Sequence, residues 1–167
     1  MTPEITLVPL TMDDEWFTRD TETDPVYMAE LGGPTDPSEI PSIHARRVQG
    51  VESGENWYFT IRLGHDGPLV GSVCLWDDGS HGPNGSEIGW GILPAYQGRG
   101  LAGAAVRRVV DLARADGRWG DMHAYPGATN VASNALARSA GFEHVGEVDI
   151  EFRGHPLHVN DWVLRAR

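Results

Sequence analysis

Apolar positions recur at two spacings along this chain, and the switch between them lays out its elements. Residues 5–10 alternate well enough for a first strand. From 13 to 30 the spacing becomes helical and polar, giving one or two helices with Trp16, Phe17, Val26, Tyr27 and Met28 as buried contacts and Pro25 as an interruption or first-turn residue. Leu31-Gly32-Gly33-Pro34 breaks the helix, and a second runs from 38 to about 51. Residues 57–63 and 69–76 form a hairpin around a glycine-containing turn, 77–86 is a loop, and 88–93 is the third strand of the meander. A loop at 94–100 leads into an amphipathic helix. Its inner side carries Leu101, Ala105, Val109 and Leu112, its outer side Arg107, Arg108, Asp111 and Arg114, and Gly117 stops it. Residues 119–125 make a strand that Pro126-Gly127 ends, and Thr129 or Asn130 caps a short helix running to Ala140. A terminal hairpin, 142–152 and 155–164, turns at Arg153-Gly154. The order predicts an α+β fold over residues 1–167, one domain with a central mixed, mostly antiparallel sheet of six to seven strands flanked by helices.

Charge narrows the partners. A formal net charge of −11 argues against nucleic acid, because neutralising phosphates takes clustered Lys and Arg, and suits an amine-bearing acceptor better. A single cysteine, Cys74, read as a core strand residue, rules out an internal disulfide. The seven histidines are scattered, so no metal is expected, and His155 and His158 read as exposed hairpin surface. Neither a membrane span nor a hydrophobic signal core is present in the pattern, which leads to the expectation of a soluble cytoplasmic protein. Homo-oligomerisation is left open.

The most informative stretch is the strand, loop and helix start from Glu87 to Gly117. Main-chain N–H groups at a glycine-lined helix start, with the positive end of the helix dipole, make an anion site. Gly98, Gly100 and Gly103 satisfy G-x-G-x-x-G, and Asp121 lies where a dinucleotide fold keeps its ribose-binding acid. That fingerprint, however, needs its first glycine at the strand end, and four residues beginning at Pro94 intervene. A glycine-rich helix cap is the plain alternative. The stretch Gln97-Gly98-Arg99-Gly100-Leu101-Ala102 also fits Q/R-x-x-G-x-G/A, in which small residues let the main chain touch a diphosphate.

In this position the stretch resembles the pyrophosphate loop of the GNAT superfamily of N-acetyltransferases. A second motif, Asn130-Val131-Ala132-Ser133-Asn134-Ala135-Leu136-Ala137-Arg138 continuing to Gly141-Phe142, is similar to the RimJ/RimL-type ribosomal-protein alanine N-acetyltransferase branch. Asp24-Pro25-Val26 and Leu31-Gly32-Gly33-Pro34 look like that branch's segment beside the substrate groove. The resemblance implies acetyl-CoA as co-substrate, no metal, and direct transfer of acetyl to a primary amine, on a small molecule or a protein N-terminus. It places the diphosphate at Gln97, Gly98, Arg99, Gly100, Leu101 and Ala102, and the pantetheine arm along Gly91, Ile92 and Leu93. Asn130 is implied to hold that arm, although it could equally cap a helix, and Ser133 to lie near the sulfur, although it could equally be a small packing residue. Where many members carry a Tyr acid this chain has Ala137, so Ser133 becomes the candidate proton donor. Glu87 is the candidate base and His123 the second; otherwise Glu87 merely flanks a strand. A non-catalytic acyl-CoA-binding module and a nicotinamide enzyme are the rival readings.

Overall fold

The computed structural model describes residues 3–166. Its seven strands are β1 Ile5–Pro9, β2 Trp57–Leu63, β3 Leu69–Trp76, β4 Gly85–Ile92, β5 Asp121–Ala124, β6 Glu143–Phe152 and β7 His155–Leu164. They join one sheet in the order β1-β2-β3-β4-β5-β7-β6. Among the described strands only β4 and β5 pair in parallel. A doubly wound dinucleotide sheet is therefore not formed, and Asp121 is taken up by Arg165 and the Ala166 N–H. No described helix is long and apolar enough to cross a membrane.

The helices are α1 Glu15–Glu22, α2 Ile40–Glu52, α3 Leu101–Asp116 and α4 Val131–Ser139. One sheet face packs on α3 and α4: Val73, Leu75, Ile88, Met122 and Trp162 meet Ala105, Val106, Val109 and Ala137. Each valine so buried contributes about 1.5–3 kcal/mol relative to exposure. The inward ladder of α3 climbs in steps of four, so Ala113 takes the place expected of Leu112, which is 44% exposed.

Under α1 and α2 lies the other sheet face. The expected helix over 13–30 is shorter: a 3-10 turn at Met12–Asp14 leads into α1, which ends before Asp24-Pro25. There the Asp24 carboxylate accepts from the Val26 and Tyr27 N–H groups and turns the chain. Phe17 and Met28 are buried as expected, but Trp16 and Val26 are 50% and 70% exposed. The buried positions of α1 are Phe17, Thr18, Thr21 and Glu22, a largely polar face that an aromatic-led reading passes over. Buried His44 on α2 donates from Nε2 to the Thr11 carbonyl and shares a hydrogen bond at Nδ1 with the Thr18 hydroxyl, tying α2 to α1 and the turn before it.

The terminal hairpin turns where expected, with positive φ at both Arg153 and Gly154. His158 is exposed, as expected, between Glu147 and Asp149. Asn134 ties α4 to this hairpin. Its side-chain oxygen accepts from Asn160 Nδ2 and Trp162 Nε1, both at 2.8 Å, while its nitrogen donates to the Gly127 and Asn130 carbonyls. Asn134→Ala strands the Trp162 donor in the core and is expected to cost about 1–3 kcal/mol, read as a lower urea midpoint at unchanged slope.

Candidate active site

Strand β4 starts three residues before its apolar run, because Gly85, Ser86 and Glu87 pair in parallel with Asp121, Met122 and His123. Glu87 thus sits inside a strand and does not merely flank one. The parallel ladder stops at Glu87 and His123, whereas the antiparallel ladder to β3 continues to Ile92. From Ile88 onward, β4 has one edge with no strand partner among the described residues, on the side of β5. Alternate residues of a strand turn their N–H and C=O groups to opposite sides; Leu93 bonds to Val70, so Gly91 and Leu93 face β3, and the free edge is formed by Trp90 and the Ile92 N–H.

Beyond β4 the chain makes a 3-10 turn at Pro94–Tyr96 and enters α3 through Gly98 and Gly100, both left-handed with φ of 74° and 73°. The first main-chain bond of α3 runs from the Ala104 N–H to the Gly100 carbonyl, and among the described residues no side chain caps the helix. The N–H groups of Leu101, Ala102 and Gly103 lie ahead of that first bond. A Cβ built at Gly98 meets nothing within 4 Å. The reason for glycine is therefore the backbone angle together with open space at the helix dipole, a cradle that suits a diphosphate.

The remaining expected ligands divide by what already occupies them. Gln97 folds back, its Nε2 donating to the Ile92 carbonyl at 3.0 Å, and braces the loop against β4. Arg99 is exposed, bonded to the Ala95 carbonyl and lying over the Tyr96 ring. The Leu101 side chain is in the core, which leaves its N–H. Leu93 has both main-chain groups engaged, with Val70 and Tyr96. Asn130 caps α4 through its Oδ1, accepting from the Ser133 N–H at 3.1 Å, and this sets both residues at the start of α4. Ala137 is fully buried in the core.

Glu87 heads a cluster of titratable groups on the α1/α2 face. The His123 ring donates from Nδ1 to the Asp161 carboxylate at 3.0 Å, and His81 stacks on it with centroids 4.3 Å apart. The Tyr125 hydroxyl lies 3.4 Å from Nδ1 of both rings. His81 Nε2 is buried without a hydrogen-bond partner among the described residues, 3.6 Å from a Glu87 oxygen. Burial, then the charges of Asp78 and Asp161, pushes Glu87 up to about 7. Burial, then the facing His123, holds His81 below its ordinary value. His81 comes from the loop 77–84 and Asp161 from the later part of β7. No motif marks either, and the early start of β4 is what draws them together.

A second polar set lies across the same face. Tyr58, Cys74 and Gly89 share one register row, as do Thr60, Ser72 and Gly91. The Tyr58 hydroxyl is 3.4 Å from Ser72 Oγ, and the Tyr27 hydroxyl presses so close to the strand that a Cβ on Gly91 would stand 1.9 Å from it. Burial raises Cys74 to about 12, so its thiol is no nucleophile. Arg47 lies over the Tyr58 ring and, with Arg153 of the hairpin turn, grips the Glu22 carboxylate.

Residues 4–143 match the family profile described as Acetyltransferase (GNAT) domain, and the chain belongs to that family. It is 33% identical over 127 residues to N-alpha-acetyltransferase RimI of Mycobacterium tuberculosis (strain ATCC 25618 / H37Rv), covering 75% of this chain and 77% of that protein. Spermidine N-acetyltransferase from Vibrio cholerae, solved with CoA and spermine, superposes with a TM-score of 0.80 at 18% identity, over 97% of this chain and 95% of that one. Ribosomal-protein-S5-alanine acetyltransferase from Vibrio fischeri gives 0.79 at 14% identity, over 99% and 94%. These two are likenesses of fold.

The rigid phenol over Gly91 sets a local test. Gly91→Ala must displace Tyr27 or bend β4 and is expected to cost about 1–3 kcal/mol. Gly89→Ala, whose Cβ would meet Cys74 Sγ at 3.3 Å, should cost clearly less. Chemical denaturation of the two variants checks the order.

Proposed function

We propose that this domain transfers an acetyl group from acetyl-CoA to a primary amine, on a small molecule or a protein N-terminus, in a ternary complex without a covalent enzyme intermediate. The observation that carries the reading is the end of the β4–β5 ladder at Glu87, which sets a free strand edge between a candidate base and an anion cradle. The cradle consists of the N–H groups at Gly98, Arg99, Gly100, Leu101 and Ala102, with the Arg99 guanidinium beside them and Gln97 as brace. The Ile92 N–H supplies the edge for the pantetheine amides, its carbonyl being held by Gln97, whereas Gly91 turns its main-chain groups toward β3 and offers small size alone; Asn130 and Ser133 approach from α4. The thioester supplies an acyl carbon open to attack by nitrogen.

Everything else falls to the chain's own groups. An amine reaches the site mostly protonated, and Asp78 and Asp161 attract that ammonium while raising Glu87 to where it can accept the proton. Main-chain N–H groups along the free edge polarise the acyl oxygen. Ser133 is proposed to pass a proton to the departing sulfur while its hydroxyl takes up the one that the newly acylated nitrogen must still lose, since Ala137 carries no acid.

Thiol release with acetyl-CoA over a panel of amines and N-terminal peptides tests the reading. Tight CoA binding with no release over the whole panel would favour the non-catalytic module. Because Glu87 must be ionised to act, kcat/KM is expected to fall tenfold per pH unit below about 7 and to level off above it. Glu87→Gln should lower kcat by about 10²–10⁴-fold and remove that limb while leaving CoA affinity intact. A rate retained in the variant would move the role to His123. Gly100→Ala places a side chain at a left-handed angle in the cradle, costing about 1–2 kcal/mol of folding free energy, and calorimetry should show CoA binding weakened at least about tenfold.

A further inference from the structure

The acceptor side of the sheet is polarised, and its basic end is incompletely satisfied. Glu22 is a single carboxylate between two guanidinium groups, accepting from Arg47 at Oε1 and from Arg153 at Oε2. Burial alone would raise Glu22, but the two arginines hold it ionised and below its usual range. Two cations around one anion leave one positive charge over, and the Glu22 side chain is only 8% exposed. Arg153 spends the donor it turns toward Glu22 on Thr35 as well. Arg47 Nη1, by contrast, is buried with no hydrogen-bond partner among the described residues. A buried, charged donor without a partner is costly, and such groups in native proteins call for an explanation.

The surroundings of Arg47 favour an anion. Its guanidinium lies over the Tyr58 ring, and Tyr58 and Tyr27 stay protonated because burial raises both. Their hydroxyls and that of Ser72 are neutral groups able to donate. No acidic side chain other than Glu22 is hydrogen-bonded to Arg47 among the described residues. The opposite end, around Glu87, Asp78 and Asp161, is acidic. We infer that the acceptor site contains an anion subsite built on Arg47, so that the preferred amine carries a carboxylate that points away from Glu87 toward α2.

Sheet geometry sets the length of that acceptor. Tyr58, beneath Arg47, lies two strands from β4, and Glu87 lies two residues along β4 from the Gly89 that completes Tyr58's row. With strands about 4.8 Å apart and about 3.4 Å per residue, the two ends are on the order of 10 Å apart. A free α-amino acid is too short, whereas an extended chain of two or three residues, at about 3.3–3.6 Å each, reaches. The carboxylate then has two sources, the C-terminus of a short peptide or an acidic side chain at the second or third residue of a longer one. A polyamine would place a cation against Arg47.

This inference rests on the acceptor groove of the proposed transferase, so the test reads binding as well as turnover. Calorimetry and thiol release, both with saturating CoA or acetyl-CoA, compare Ala-Ala-Ala as free acid and as amide. A second arm compares C-terminally amidated hexapeptides with Glu or Gln at the second and third positions, with spermidine as the cationic control. In at least one arm the acid is expected to bind at least about tenfold more tightly than its neutral partner, and the arm that responds identifies the source. Arg47→Gln should reduce the preference below about threefold while Arg153 keeps Glu22 paired. Arg153→Gln, at the exposed turn, should also weaken it by removing the surplus charge, and it keeps the comparison valid if the Arg47 variant does not fold. Equal binding of acid and neutral acceptors in both arms, or spermidine binding best, overturns the subsite. Turnover without acid preference sinks the subsite alone; acid preference without thiol release sinks the transferase reading alone.

Discussion

The arrangement depends on where one short ladder ends. Three residues of β4 pair with three of β5, and the two strands then part. Within the ladder, register aligns Glu87 with His123, and through β7 brings Asp161 to the same face. Beyond it, the sheet offers an open edge in its interior, where buried main-chain groups are otherwise paired almost without exception. The glycine turn follows a few residues later, so free backbone groups stand at two points, the strand edge and the helix start.

On the groove face the chain distributes charge by element. Strands β4, β5 and β7 with the loop at 77–84 bring carboxylates and histidines, while α2 and the β6–β7 turn bring the arginines. Between them lies a row of neutral groups: Tyr27, Tyr58, Ser72 and Cys74, opposite two glycines. Gly91 admits the Tyr27 phenol close to β4, while Gly89 faces Cys74 and Trp76. The overall charge of −11 therefore says little about this groove, whose field reverses over a few strands.

Features written locally in the chain were legible from sequence. The glycines of the loop, the Asn130 cap, the β2–β3 hairpin and the Arg153-Gly154 turn each depend on neighbouring residues, and the structure forms all of them. Features set by partners distant in sequence were not. Gly85–Glu87 carry no strand pattern of their own and become strand because β5 lies beside them. His81 and Asp161 join Glu87 only through that register. Trp16 is exposed because the buried face of α1 runs through Phe17, Thr18, Thr21 and Glu22, and Val26 because it lies in the Asp24 turn that follows the helix. Leu112 failed for a smaller reason: one residue's rotation on α3 turns the inward place over to Ala113.

Glu22 has a mechanical meaning apart from its charge. One carboxylate on α1 fastens α2 through Arg47 and the hairpin turn through Arg153, so three segments far apart in the chain are riveted at a single point. Acid strong enough to neutralise that carboxylate would loosen α2 and the hairpin turn together.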